Sequence, residues 1–596
     1  MGRPLEGRPL TWSEAEEAGP VIRKWAAEQL LRLWHKQRAR SDPEPSWGDE
    51  IEFTLVDMNT RESRATMLLD QERILRQWAS DPENEELASF QAEWATYVVE
   101  TSPAKPYAGA ISELFKVEQD MRQRRQFVNE FLQPHQHTLS LSTFPRVGAQ
   151  DHEWTTPTSY NNKVCSSKTR YALLANNVHE RPQGRMCTYF PVYRDINTPS
   201  PFRDDPHSRP GLPNHVCLDE LEAGIGCSSI QTTFQAANEP EARWLYDQFV
   251  PLGPVFLALT AATPIWKGYL VETDIRWQRF GDLFDDRRHS EMETMLPRWT
   301  WNRTYISQEK PSGLESSRPL LPMDKGIKAR LMEGGMDEPL AEHFGTILSR
   351  DPLLPTESDL EHLNASSTRL FDLMQGCVWP HVRFKPPMTD DGPGWLVEFR
   401  PMEVQPTDFE NAAFSIFTYL LSRAISTLHV NFYLPIDKLG DAWEQSQRRN
   451  AVTDSRLWFR RTGWSSNPVH TLRQSKTMCK DEVHSASNED AYSRMTLDQI
   501  VNGEGVPGGF PGLLGIVQQY LHYTNVSPME QARLAPYLDL IEKRASGANP
   551  TPATWMRDYV RQHEDYRQDS YVSEKICHDM MAEMVRMNEA ESRAAC

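Results

Sequence analysis

Alternation of apolar and polar positions is the clearest signal in this chain. In Val397-Glu398-Phe399-Arg400-Pro401, Val397 and Phe399 fall on one face and the acid and the base on the other. Side chains two apart on a strand share a face at roughly 7 Å, a spacing that suits one metal ion and one phosphate. Trp47-Gly48-Asp49-Glu50-Ile51-Glu52-Phe53 repeats the pattern, with Glu50 and Glu52 opposite Ile51 and Phe53. A third strand is predicted at the end of Gly224 to Gln235, where Gln231, Thr233 and Gln235 share a face, and Tyr97 to Glu100 is also strand-like. Strands with acidic or polar faces, far apart in sequence, imply one sheet and one shared site.

Helical signals surround these strands. Thr11 with Glu14 makes a capping box that starts a helix running towards Arg38, stopped by the Pro-rich stretch from Asp42 to Pro45. A charged helix is predicted from Ser112 to Leu132, with Arg122, Arg124 and Arg125 as its solvated face. Asn411 to Leu428 reads as a core helix behind the segment Pro401 to Pro406. Gln531 to Ala545 closes on Gly547 as a C-cap, and a second helix includes Trp555 to His563. Residues 195–214 read as a surface excursion and 465–490 as an irregular loop, so residues 1–596 are expected to form one unit with two surface insertions.

Composition narrows the function. Apolar residues make up 39% and charged residues 25%, ordinary for a globular chain. A net charge of -19 repels nucleic acid, and no basic stripe is long enough to overcome it. A small anionic substrate would need local arginines and lysines helped by bound cations. The eight cysteines form no Cys-x-x-Cys pair, which argues against structural zinc and a disulfide scaffold. The start lacks an apolar signal core, and the longest apolar stretch, Phe249 to Trp266, is broken by Pro251, Gly253, Pro254 and Pro264, so it reads as buried chain and not a membrane span. These features point to a reducing cytoplasm.

No P-loop, dinucleotide fingerprint, His-Glu-x-x-His or Gly-x-Ser-x-Gly is present, so phosphate chemistry would need another device. Glu50, Glu52, Glu93, Glu100 and Glu398 offer oxygen donors for magnesium, with Gln231 as a neutral sixth; any one acidic strand alone reads first as a solvent-facing stripe, and it is the set taken together that points to a metal. Arg276 in Asp274-Ile275-Arg276-Trp277 could clamp a carboxylate or simply pair with Asp274. Lys385 shares a face with Arg383 and could meet a triphosphate or lie at a strand edge.

Taken in order, Trp47 to Phe53, Ser159-Tyr-Asn-Asn-Lys163, Asn197-Thr-Pro-Ser-Pro-Phe202, Arg383-Phe-Lys-Pro-Pro387 and the block Gly394 to Ala412 resemble the eukaryotic glutamate-cysteine ligase catalytic subunit family. Arg350-Asp-Pro352, Phe510-Pro-Gly-Leu513, Lys543-Arg-Ala-Ser-Gly547 and Trp555-Met-Arg557 extend the resemblance almost from end to end. It implies an α+β fold of the glutamine-synthetase type, an antiparallel sheet cradle surrounded by helices. The implied reaction joins L-glutamate, through its γ-carboxylate, to L-cysteine with ATP, giving γ-glutamylcysteine for glutathione synthesis. The implied magnesium ligands, for two or three ions, are Glu50, Glu52, Glu93, Glu100, Gln231 and Glu398. Arg276 is the implied clamp for the glutamate α-carboxylate, Lys385 and Arg400 the implied phosphate contacts, and Arg276, Glu398 and Arg400 the implied catalytic set. Glutathione as feedback inhibitor and a modifier subunit as partner belong to the same expectation. Ser228 and Ser229 stand where relatives commonly carry cysteine, and Trp299 stands in place of a tyrosine. A same-fold phosphotransferase acting on another carboxylate or guanidino substrate, or a non-catalytic regulatory paralogue, are the alternatives.

Overall fold

A computed structural model describes residues 5–149, 164–182, 187–204, 212–219, 221–316, 323–465 and 491–595. Its centre is a nine-stranded antiparallel sheet. The strands are β1 (Ser46–Asn59), β2 (Arg64–Met67), β3 (Ala88–Ala92), β4 (Val98–Pro103), β5 (Tyr107–Ala108), β6 (Gln136–Leu139), β7 (Ile230–Ala236), β8 (Val382–Lys385) and β9 (Trp395–Phe399). The main path runs β8-β9-β7-β1-β4-β3, and β2, β5 and β6 also pair with the long β1. All the predicted polar-faced strands therefore lie in one sheet, as the alternation requires.

Helices α1 (Trp12–Gln37), α2 (Val117–Asn129), α3 (Thr169–Glu180), α4 (Glu239–Phe249), α5 (Trp277–Leu283), α6 (Asp408–Leu428), α7 (Pro528–Ala545), α8 (Pro552–Gln562) and α9 (Glu574–Ala595) pack around it. α1 begins at the predicted capping box, Thr11 and Glu14 each satisfying the other's backbone N–H, and ends at Arg38. One face of the sheet is apolar and dry. Ile51, Phe53, Val99, Ile230, Val397 and Phe399 are all buried, and α4 and α6 contact strands of the sheet. Phe249 of α4 meets Phe399 edge-on at 5.1 Å between ring centroids, and Tyr419 of α6 stacks on Trp47 at 4.7 Å. That leaves the alternate positions, the acids and Gln231, to face the other way.

Three expectations change. The predicted helix from Ser112 to Leu132 is two pieces, Ile111–Leu114 and α2. Arg124 and Arg125 are not a solvated face: both are buried. Arg124 donates to Asp49 at 2.6 Å and to the Thr101 carbonyl at 3.0 Å, while Arg125 grips Asp408 with Nε and Nη2 at 2.9 and 2.7 Å. Their acids lie 75 and 283 residues away in sequence, beyond the reach of a local pattern. Local pairing is also present, Arg122 with Glu118 and Arg124 with Asp120, each one turn back. α7 starts three residues earlier than predicted, with Ser527 and Glu530 as its capping box, and Gly547 follows it at φ 78°.

The motif Ser159 to Lys163, residues 205–211 of the predicted excursion and 466–490 of the predicted loop lie outside the described residues. Among the described residues no helix is long and apolar enough to cross a membrane.

Candidate active site

A cavity of about 290 Å³ opens on the polar face of the sheet. Pairing sets its floor: Glu50 lies opposite Gln231, Glu52 opposite Glu100, and Arg383 opposite Glu398. Glu93 joins them from just beyond β3. Glu52, Glu93 and Glu100 each present an oxygen within 4.8 Å of the other two. Burial raises all three carboxyls, and their mutual charge adds to it. Glu52 is pushed up to about 8, with the Glu100 charge as the second cause and Arg276 opposing; Glu93 reaches about 7, with Glu52 as the second cause. Glu100 is raised as well, by burial and then by the charges of Glu50 and Glu93. Such a set is unfavourable alone and becomes favourable around a divalent cation, which takes oxygen donors and relieves the repulsion. The residues fit magnesium on the chemistry of these donors.

Gln231 donates from Nε2 to Glu52 at 3.4 Å and turns its oxygen towards Arg400. The amide thus bridges the acids to the opposite, cationic wall. Ser229 supports Glu52 from its backbone N–H at 2.6 Å and from its hydroxyl at 3.3 Å.

The cationic wall centres on Glu398. Lys385 and Arg400 both contact its carboxylate, and Arg383 lies 3.5 Å from it. Burial by itself would raise the Glu398 carboxyl, but Lys385, Arg383 and Arg400 hold it well below the usual range. Burial lowers Arg383 to about 10 against the opposing pull of Glu398. Three cations around one carboxylate leave an excess of positive charge on this wall of the cavity, and it suits a polyphosphate.

Arg276 resolves the ambiguity left by its sequence. Asp274 does not take it; Asp274 accepts from Arg557 at 2.7 and 3.0 Å. The Arg276 guanidinium is buried and lines the cavity, and its Nε and Nη2 have no hydrogen-bond partner among the described residues. Its position is fixed through its backbone, whose N–H donates to Glu403 at 2.6 Å, while the other Glu403 oxygen accepts from the Ala262 N–H and the Thr263 hydroxyl at 2.6 and 2.7 Å. A buried guanidinium with its Nε and Nη2 edge turned to a cavity has the geometry to take a carboxylate.

Every site residue read from the sequence, Glu50, Glu52, Glu93, Glu100, Gln231, Arg276, Lys385, Glu398 and Arg400, lines this one cavity. Sequence reading missed Arg170 on α3, which also lines it, because a single arginine in a helix carries no distinguishing pattern. It noted Arg383 only as the neighbour of Lys385. Cys227 lines the cavity too, but burial pushes its thiol up to about 12, so it is protonated and a poor nucleophile.

An acidic cluster that can take a cation, a cationic wall and a separate buried guanidinium, all in one cavity, have the chemistry of an enzyme acting on anionic substrates. Comparison with known sequences says which. The glutamate-cysteine ligase family model matches residues 2–587, and the chain belongs to that family. A glutamate-cysteine ligase of Neurospora crassa is 35% identical over 100% of this chain and 92% of its own length. The Homo sapiens glutamate-cysteine ligase catalytic subunit is 32% identical over 98% of this chain and 94% of its own. A Schizosaccharomyces pombe glutamate-cysteine ligase is 29% identical, with 98% of each chain covered.

Proposed function

We propose that the chain is a glutamate-cysteine ligase, joining the γ-carboxylate of L-glutamate to the amine of L-cysteine at the expense of ATP. Family membership over nearly the whole length supports the reaction, and the observation that carries its placement is the convergence of carboxylate receptor, acid cluster and cationic wall in one cavity. In this reading Arg276 clamps the glutamate α-carboxylate, so that the γ-carboxylate reaches towards the wall. Lys385, Arg383 and Arg400 exchange Glu398 for the ATP phosphates and orient the terminal one for in-line attack. The γ-oxygen attacks the terminal phosphorus, the bond to ADP breaks, and an acyl phosphate results. Cysteine nitrogen then attacks the acyl carbon and phosphate leaves. Glu52, Glu93 and Glu100, with Glu50, Gln231 and Glu398 completing the set, would hold two or three magnesium ions, which supply charge neutralisation at the phosphates when bound.

We read the sheet as a glutamine-synthetase-like cradle and the chain as a single catalytic unit. Glutathione shares the γ-glutamyl group and is expected to compete with glutamate at Arg276. The human relative is named a catalytic subunit, and a modifier subunit is carried here as an expected partner, testable by co-purification. The deciding experiment is phosphate release from ATP with glutamate, with and without cysteine, alongside detection of γ-glutamylcysteine. Dipeptide formed only with all three substrates supports the reading. Phosphate released at full rate without cysteine and without dipeptide would instead identify a phosphotransferase on another acceptor, and no release at all a non-catalytic paralogue.

A further inference from the structure

A second cavity, of about 770 Å³, lies beside the active-site cavity, and Trp299 lines both. The larger one is bordered by exposed residues such as Gln278 and Met292, so it reaches solvent. Trp299 itself is buried, and everything around it holds it in place. Its ring lies 3.8 Å from Phe280 and 4.5 Å from Trp277, between centroids. The preceding residue is pinned: the Arg298 carbonyl accepts from the Trp379 N–H, and the Arg298 guanidinium donates to Asp286 and to the Cys377 and Asp351 carbonyls at 2.8, 3.2 and 2.7 Å. Gly281 on α5 allows the close approach, because a methyl group there would stand 3.0 Å from the Trp299 carbonyl oxygen.

Towards the active site the same ring has Arg276 at 5.9 Å and Arg400 at 5.7 Å from its centroid. Trp299 therefore flanks the carboxylate receptor and the phosphate wall together, with a solvent-reaching space on its other side. An acyl phosphate is vulnerable there. Water adding to the acyl carbon breaks the bond to phosphate, returning glutamate and inorganic phosphate and consuming the ATP without product.

We propose that Trp299 is the partition between the two cavities, and that it decides how much of the ATP hydrolysed ends as dipeptide by excluding the larger cavity's water from the γ-glutamyl phosphate. This rests on the ligase reading above. Trp299 is a positioning residue, since it takes no part in bond making.

The measurement is the ratio of phosphate released to γ-glutamylcysteine formed by the full-length protein with ATP, magnesium, glutamate and cysteine. The parent should give about one, Trp299→Phe should stay near it, and Trp299→Ala should raise it roughly threefold or more by joining the cavities. A ratio does not depend on the fraction of protein that is folded, and Trp299→Leu gives the same readout should the alanine variant fail to fold. A parent ratio near one with an unchanged ratio in Trp299→Ala, or in Trp299→Leu in its place, overturns the partition alone. A parent that forms no dipeptide overturns the ligase reading and this proposal with it.

Discussion

Replacing Glu398 with glutamine removes one charge and almost no volume, yet it strikes the most crowded electrostatic point of the molecule. Its side chain is 2% exposed and is the shared counter-charge of Lys385, Arg383 and Arg400. Removing one partner from a buried ionic group typically costs about 3 to 5 kcal/mol, because the others are left uncompensated. Lys385 and Arg383 retain 29% and 15% side-chain exposure, so water takes part of that and the lower end, about 3 kcal/mol, applies. With an unfolding entropy of about 2.1 cal/mol/K per residue, a chain of 596 residues melting as one unit would lose about 2 °C in Tm. Scanning calorimetry at low ionic strength resolves such a shift. Inorganic phosphate or ATP should restore it in the variant by supplying the missing negative charge, while turnover stays lost. The sign with pH is fixed too: a carboxyl held below its ordinary 4.5 stabilises above that value, so the gap between parent and variant should close as the medium is acidified. A Glu398→Gln protein as stable as its parent without anions, and unmoved by phosphate, would refute this account of the wall.

Arg276→Lys should lower kcat/KM for glutamate by about 2 to 4 kcal/mol, mostly through KM, with the ATP KM little changed, because a point charge replaces a fork; a rise confined to the ATP KM would reassign the residue. Burial and mutual charge hold Glu52 near 8 and Glu93 near 7, above their ordinary 4.5, so the cation-free protein should lose stability as pH rises from about 5 to 8. Magnesium should raise Tm more at pH 8 than at pH 6, and a chelator should reverse it; a magnesium shift that is the same at both would place the cation elsewhere. Glutathione should compete with glutamate, S-methylglutathione should inhibit as well, and reductant should have no effect, since Ser228 and Ser229 carry no thiol and Cys227 is held protonated near 12. Inhibition abolished by reductant would point to Cys227 after all.

The periodicity of a strand is local, so Val397 to Arg400 and Trp47 to Phe53 could announce by themselves which side chains would face a site and which would face the helices. Capping is local as well, and Thr11 with Glu14 announces a helix start that forms as expected. Partners are not local. Glu52 meets Glu100 and Ser229 only because β1 lies between β4 and β7, and nothing within reach of Arg124 or Arg125 in the chain foretells Asp49 and Asp408. The same holds for Arg276, whose nearest acid in sequence is taken by Arg557, leaving its guanidinium open to the cavity. Burial was also decided late: Glu398 on a polar strand face becomes a buried charge only when Lys385, Arg383 and Arg400 close over it. Sequence determined which groups could do the chemistry, because alternation and residue type are written residue by residue. Tertiary structure decided their charge balance and the place of Trp299 between two cavities, because electrostatic and packing energies depend on distances that only the folded chain sets.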